Sequence, residues 1–366
     1  MKEKKEKKDI NRRKFLKKTA AAVGGTALGI QVVGDVAEAK KEKVWKLKMQ
    51  SNWTGIGIRA QDEAAKMFCD NVEKMSGGRV KVKNYDADVL LGIGETFKGV
   101  GSGVADLAVT SSIYNRGITP VGYYLWAVPF FPNDRVEFSA LWHDVLGGNE
   151  IWNEAYAEHG VKHLAYINSD EWGTMVSTVP IRKFSDFKGL KVRAFGLWAD
   201  WLVKHGASIV TVPGGEIYVA IQTKILDAAA FGSPDAWAGA KLYEVCKYFI
   251  NPSIIPYDGC EIIMNLKTFN KMPSDLQEIM IAAGKIHNLD FSARVIQQDS
   301  EAREILAQKG METIMIPDDE LKKAEEWCWN RFLQEKGKDK YVDRLIEVFT
   351  RARKIHKAYF GPKRLP

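Results

Sequence analysis

Twice along this 366-residue chain a helix, a turn bearing glycine or lysine, and a short apolar strand headed by an aspartate follow one another. The first copy leads from Glu95–Val100 to Ala105-Asp106-Leu107-Ala108-Val109, and the second from Glu216–Thr223 to Leu226-Asp227-Ala228-Ala229. Helices alternating with short apolar strands predict an α/β fold with largely parallel sheets. Two such units, in a chain long enough for two cores, predict two lobes with a cleft between them, where ligands tend to sit.

The surrounding pattern agrees. Val44–Gln50 sets Trp45, Leu47 and Met49 against Lys46, Lys48 and Gln50, a strand covered on one face. Ala64, Ala65, Phe68, Val72 and Met75 recur at helical spacing over Arg59–Met75. Ser76-Gly77-Gly78 ends that helix, and Val80 and Val82 open the next strand. Farther on, Leu190–Phe195, Ile209–Val212 and Ile225–Phe231 read as strands, with helices over Asp200–His205 and Glu216–Thr223. From Asp318 the chain becomes helical, over Glu320–Gln334 and Tyr341–Tyr359. Val342, Leu345, Ile346, Phe349, Ile355 and Tyr359 form an apolar stripe there. Packing across both lobes, packing on one lobe, or a homodimer through the C-terminal helices would each cover it.

The first 39 residues read as an export leader. Lysines and the pair Arg12-Arg13 precede an apolar, glycine-bearing stretch from about Thr19 to Val33, and Ala37-Glu38-Ala39 offers a cleavage site. The pattern resembles a twin-arginine signal, with Asn11 where Ser or Thr is usual. This leader holds ten basic and five acidic side chains, so +5 of the total +7 lies in it and +2 remains for the rest. A nearly balanced mature chain without a basic, aromatic-laced stripe has no electrostatic reason to bind nucleic acid. No later stretch has membrane-span length without charge, so a soluble periplasmic protein is expected. Cys69, Cys246, Cys260 and Cys328 are too scattered for a metal motif and are expected as thiols, although Cys246 and Cys260 could meet on neighbouring strands.

No catalytic set emerges. The six histidines make no H-x-x-x-H helix motif, since Gly160 falls between His159 and His163. Neither a nucleophile elbow nor a phosphate loop occurs. Arg193 stands out instead, inside a short strand with Gly196 behind it. A guanidinium at a strand's carboxyl end can hold a planar anion through parallel hydrogen bonds; it could equally form a salt bridge between lobes. Glu171 and Trp172, Phe231, Trp53 and Tyr114 fall at strand ends, where such folds place ligand contacts.

Several separated segments, in order, resemble the extracytoplasmic solute receptors of TRAP transporters, the DctP-type family. They are Met75-Ser76-Gly77-Gly78-Arg79-Val80, Gly101-Ser102-Gly103-Val104-Ala105-Asp106, Phe187-Lys188-Gly189-Leu190-Lys191-Val192-Arg193, Val212-Pro213-Gly214-Gly215-Glu216-Ile217-Tyr218 and Leu226-Asp227-Ala228-Ala229. The resemblance implies a periplasmic-binding-protein-like, two-lobed receptor, not an enzyme. Such a receptor closes on a small organic anion and delivers it to small and large membrane permease subunits. It assigns Arg193 to the ligand's carboxylate, and it leaves Glu216 as a helix N-terminal acid. By this resemblance the boundaries are 1–39 signal, 40–165 lobe I, 166–264 lobe II, 265–317 a return segment completing lobe I, and 318–366 a helical extension.

The run from Pro213 to Tyr218 and the long tail resemble the branch that takes 2-oxo acids and lactate. That branch can hold a metal against the ligand with an acid and a tryptophan where this chain has Ala230 and Phe231, and a further ligand near Ile255. These apolar residues imply direct binding with no metal and no cofactor. Phe231 would offer a ring face, and Asp235 or Asp258 a contact to a hydroxyl or ammonium group. A sulfonate or dicarboxylate is an alternative ligand, an exported enzyme a more distant reading, and presentation of a ligand to a sensor domain a third.

Overall fold

The computed structural model describes residues 43–128, 139–168, 174–252 and 260–360. The leader with Arg12 and Arg13 lies outside the described residues, as do Glu171, Trp172, Ile255 and Asp258.

The first sheet contains β1 (Trp45–Ser51), β2 (Val80–Tyr85), β3 (Leu107–Ser111), β4 (Val161–Ile167) and β10 (Cys260–Asn265), in the order β2-β1-β3-β10-β4. The second contains β5 (Met175–Ser177), β6 (Lys191–Arg193), β7 (Ser208–Ile209), β8 (Ala228–Ala230), β9 (Tyr248–Asn251) and β11 (Glu312–Met315), in the order β11-β9-β5-β8-β6-β7. Each sheet is mixed rather than all parallel: β10 runs antiparallel to β3 and β4, and β5 antiparallel to β8 and β9. Five strands of each sheet correspond, β2-β1-β3-β10-β4 to β7-β6-β8-β5-β9, with β11 added to the second sheet; the antiparallel strands β10 and β5 each come from a chain passage between lobes. Lobe boundaries drawn along the sequence miss this exchange: Cys260–Asn265 belongs to the first sheet and Glu312–Met315 to the second.

The paired aspartates explain the internal likeness. Asp106 Oδ2 accepts from the Lys48 amide at 2.9 Å, and the Asp106 amide donates to the Lys48 carbonyl at 2.9 Å. Asp227 does the same to Lys191, at 2.8 Å in both directions. Each carboxylate thus satisfies a strand amide just where two parallel strands begin to pair, which pins their register.

Helix α1 (Arg59–Met75) buries Ala60, Ala64, Ala65, Phe68 and Val72 on the first sheet. It ends as expected, with Gly77 and Gly78 at positive φ and the Gly78 amide on the Glu73 carbonyl. Three expected strands are shorter than their apolar runs, Leu190–Phe195 keeping only Lys191–Arg193. Ile225 and Leu226 both donate to the Ala220 carbonyl and so close the preceding helix, leaving Ala228–Ala230 as strand. After Ser208–Ile209 the chain leaves the sheet.

Further helices are α2 (Pro120–Ala127), α3 (Gly148–Ala157), α4 (Gly196–Lys204), α5 (Ile217–Gln222) and α6 (Pro234–Gly239). Helix α7 (Ser274–Gln308) is about 50 Å long at 1.5 Å per residue. It packs on α1 and β4 of the first lobe and on α6 of the second, so its buried residues do not keep to one apolar stripe. Helices α8 (Asp318–Leu333) and α9 (Lys340–Phe360) bridge the lobes again, α8 against α4 and α9 against α2 and α3. Val342, Leu345, Ile346 and Phe349 are buried in that shared core, whereas Tyr359 is exposed. Among the described residues no helix is long and apolar enough to cross a membrane. Cys246 and Cys260 are buried in different cores, one in each lobe, and none of the four cysteines is in a disulfide.

Candidate functional site

Arg193 ends β6, opposite Ala229 of β8, and its residue is 1% exposed. Nε donates to the Val212 carbonyl at 2.9 Å and Nη1 to the Ala230 carbonyl. The guanidinium carbon lies 4.6 Å from the Phe195 ring centroid and 5.5 Å from that of Phe231. Two carbonyls and two ring faces therefore fix its plane. Burial lowers its pKa to about 10, opposed by Tyr114 of the first lobe, so it stays charged at neutral pH. Among the described residues no carboxylate forms an ion pair with it, and Nη2 has no hydrogen-bond partner. A buried cation costs several kcal/mol unless an anion compensates it. Among the described residues nothing supplies that anion.

The other expected residues divide. Trp53 is buried in the turn after β1 and packs on the first-lobe core, where Tyr114 is half-buried. Phe231 is buried in the second-lobe core, with its carbonyl taken by Trp237 Nε1. Trp53, Gly232, Ser233, Asp235 and Ala236 line a cavity of about 20 Å³ at the seam between lobes. Asp235 is engaged within the protein: its Oδ1 accepts from Arg59 Nε at 3.1 Å and Nη2 at 3.0 Å. Arg59 also reaches Glu301 at 3.4 Å. The Asp235 amide and the Ser233 hydroxyl both donate to Asp299 Oδ1 on α7, at 2.9 and 2.6 Å. Asp235 thereby links α1, α6 and α7 across the seam. Glu216 is exposed at the start of α5, as a helix-terminal acid would be.

Sequence reading missed two features. Phe195 lies two residues beyond Arg193, and that spacing was its only signal. Gly57 and Gly239 touch across the seam so closely that a Cβ on Gly239 would fall 2.5 Å from the Gly57 carbonyl oxygen. Neither glycine sits in a recognisable motif.

Residues 58–332 match the family model of bacterial extracellular solute-binding protein, family 7 (DctP). The chain belongs to this family. DctP-type proteins are the solute receptors of TRAP transporters: they work outside the cytoplasm, bind small organic anions without transforming them, and serve membrane permease subunits. A monocarboxylate 2-oxoacid-binding periplasmic protein of Nostoc sp. is 26% identical over 352 residues, 94% of each chain. A TRAP periplasmic solute-binding protein from Pseudoalteromonas atlantica, solved with sodium and pyruvate, shares the fold. Its TM-score is 0.78 at 21% identity, over 87% of this chain and 96% of that one. A Rhodoferax ferrireducens counterpart solved with malonate gives 0.76 at 22%, over 86% and 100%.

The Pseudoalteromonas structure contains sodium as well as pyruvate. Ala230 and Phe231 bring apolar side chains, and their carbonyls already accept from Arg193 and Trp237. Among the described residues no three acidic, histidine or cysteine side chains are grouped to hold a metal. A cation placed there would also face the Arg193 guanidinium. These residues do not fit a metal.

Proposed function

We propose that this DctP-type receptor binds a small monocarboxylate, such as a 2-oxo or 2-hydroxy acid, with its carboxylate directly on Arg193. The supporting observation is the buried guanidinium that two carbonyls and two aromatic rings orient but no described carboxylate neutralises. One fixed cation suits one anionic group, and the Nostoc relative's 2-oxoacids are of that class. Phe231, Trp53 and Tyr114 supply the apolar surroundings; Glu171, Trp172 and Asp258, candidate contacts from the sequence, lie outside the described residues. A sulfonate would present similar acceptors to the same group and is the second reading; a dicarboxylate would need another cation.

In this reading the Arg12-Arg13 leader exports the folded chain by the twin-arginine route. A homodimer through the C-terminal helices would use the open groove between α8 and α9, around Trp329 and Arg353, because the apolar stripe is already covered by its own chain. Mass spectrometry of the small molecule that co-purifies tests the proposal. A monocarboxylate supports it; a sulfonate or an uncharged solute overturns it.

A further inference from the structure

A line of titratable side chains runs through the first lobe and takes no part in gripping the solute. His143 stands on the π-helical turn Leu141–Val145, Tyr156 on α3, His163 on β4 and Glu261 on β10, and all four are buried. Asp144 Oδ1 lies 3.0 Å from His143 Nδ1. His143 Nε2 lies 2.9 Å from His163 Nε2, and His163 Nδ1 lies 3.0 Å from Glu261 Oε2. Tyr156 donates its hydroxyl proton to Glu261 Oε1 at 2.9 Å. Trp152 stacks on His163 at 4.8 Å and holds its plane, and Lys285 pairs with Asp144 at 3.2 Å.

Each of the three links from Asp144 to Glu261 is a hydrogen bond only while it contains one proton. Two bare ring nitrogens facing each other at 2.9 Å would repel, and two N–H groups would clash. Asp144 supplies none of these protons, because His143 and Lys285 hold its carboxyl down at about 2. The two imidazoles and Glu261 must therefore carry three protons between them. In the unfolded chain above about pH 6.5 the same groups carry two, one on each neutral ring and none on the carboxylate.

We propose that this line is a proton-loaded fastener of the first lobe, which folding fills with one extra proton and which loosens when that proton leaves. Burial decides where the proton rests. Three neutral groups cost less than an imidazolium and a carboxylate buried side by side, so Glu261 holds it and donates to His163. Desolvation accordingly pushes Glu261 up to about 8 and His163 down to about 3, and lowers His143. Lys162 beside His163 and Lys285 near His143 disfavour imidazolium further; Asp144 favours it, as an ionised Glu261 would. The fastener reaches the ligand face, because Cys260 and Glu261 pair with Ser111 and Thr110, and Ser112–Asn115 with Tyr114 follows directly.

Above about 6.5 the folded state binds one proton more than the unfolded, so stability falls as pH rises, by a factor of ten in the unfolding constant per unit. That loss stops near 8, where the folded chain releases the proton as well. Between about 4.3 and 6.5 the unfolded chain binds four protons, so stability falls as pH falls. The contribution is greatest near 6.5.

Glu261→Gln supplies a permanent N–H to His163 and keeps an oxygen for Tyr156, closing the line without the extra proton. Urea unfolding at pH 6.5 and 7.5 should show the unfolding constant of the native chain rising about tenfold relative to this variant. Equal pH dependence, within twofold, would overturn the proposal. Nitrogen-15 NMR of the unsubstituted protein gives a second reading that does not depend on the variant folding. One N–H on His143 Nδ1 and one on His163 Nε2, neither titrating between pH 5 and 7, is expected; titration of either ring near 6.5 would overturn the proposal too.

Discussion

Arg193→Met separates what this arginine does for the fold from what it does for the ligand. Methionine keeps an unbranched stem between Phe195 and Phe231, so ring packing is largely retained. The Val212 and Ala230 carbonyls lose their donors, at about 1–3 kcal/mol each. Against this, the variant no longer buries a cation. The fall in the arginine's pKa from 12.5 to about 10 corresponds to about 3 kcal/mol of lost hydration at this 1%-exposed group. The terms largely offset, and the ligand-free variant should unfold within about 3 kcal/mol of the native protein. Binding has no such offset. Losing a buried charged hydrogen bond to the solute should cost about 2–5 kcal/mol, or roughly 30- to 4,000-fold in Kd. Calorimetry with the tightest ligand from a panel of small acids, alongside urea unfolding without ligand, measures both numbers. A Kd within threefold of the native value in a folded variant would refute the reasoning.

The seam between lobes gives two further predictions. Gly239→Ala places a methyl group 2.5 Å from the Gly57 backbone carbonyl, a clash that parting the two lobes relieves, so it should weaken ligand affinity about tenfold while each lobe keeps its fold. A large drop in melting temperature at unchanged Kd would contradict that. Asp235→Asn removes the carboxylate that Arg59 grips; because Arg59 is half exposed, the expected cost is about 1 kcal/mol, or about fivefold in Kd. Small-angle scattering should show this variant more open than the native protein in the absence of ligand. Dialysis against a chelator should leave the affinity for the solute unchanged, and elemental analysis finding one tightly held calcium or sodium per chain, lost together with the ligand, would contradict direct binding.

Much of the lobe architecture was legible because it rests on local patterns. The apolar spacing over Arg59–Met75, the Gly77-Gly78 stop, and the aspartates at 106 and 227 each act within a few residues or between adjacent strands. What escaped was non-local. Strand β10 joins the first sheet and β11 the second because the chain crosses between lobes, and no short-range periodicity records a crossing. Arg193 was readable from its place in a strand, but the carbonyls and rings that orient it were not. Asp235 looked like a free carboxylate because its partner Arg59 is 176 residues away. His163 and Glu261, 98 residues apart, meet only because β4 and β10 are neighbours.

A crystal structure of the protein with its co-purified solute tests the central claim most directly. The account predicts an anionic group of that solute within hydrogen-bond distance of Arg193 Nη2, enclosed between the two lobes, with no metal between them. A solute lying away from Arg193, or bridged to the protein through a cation, would contradict it.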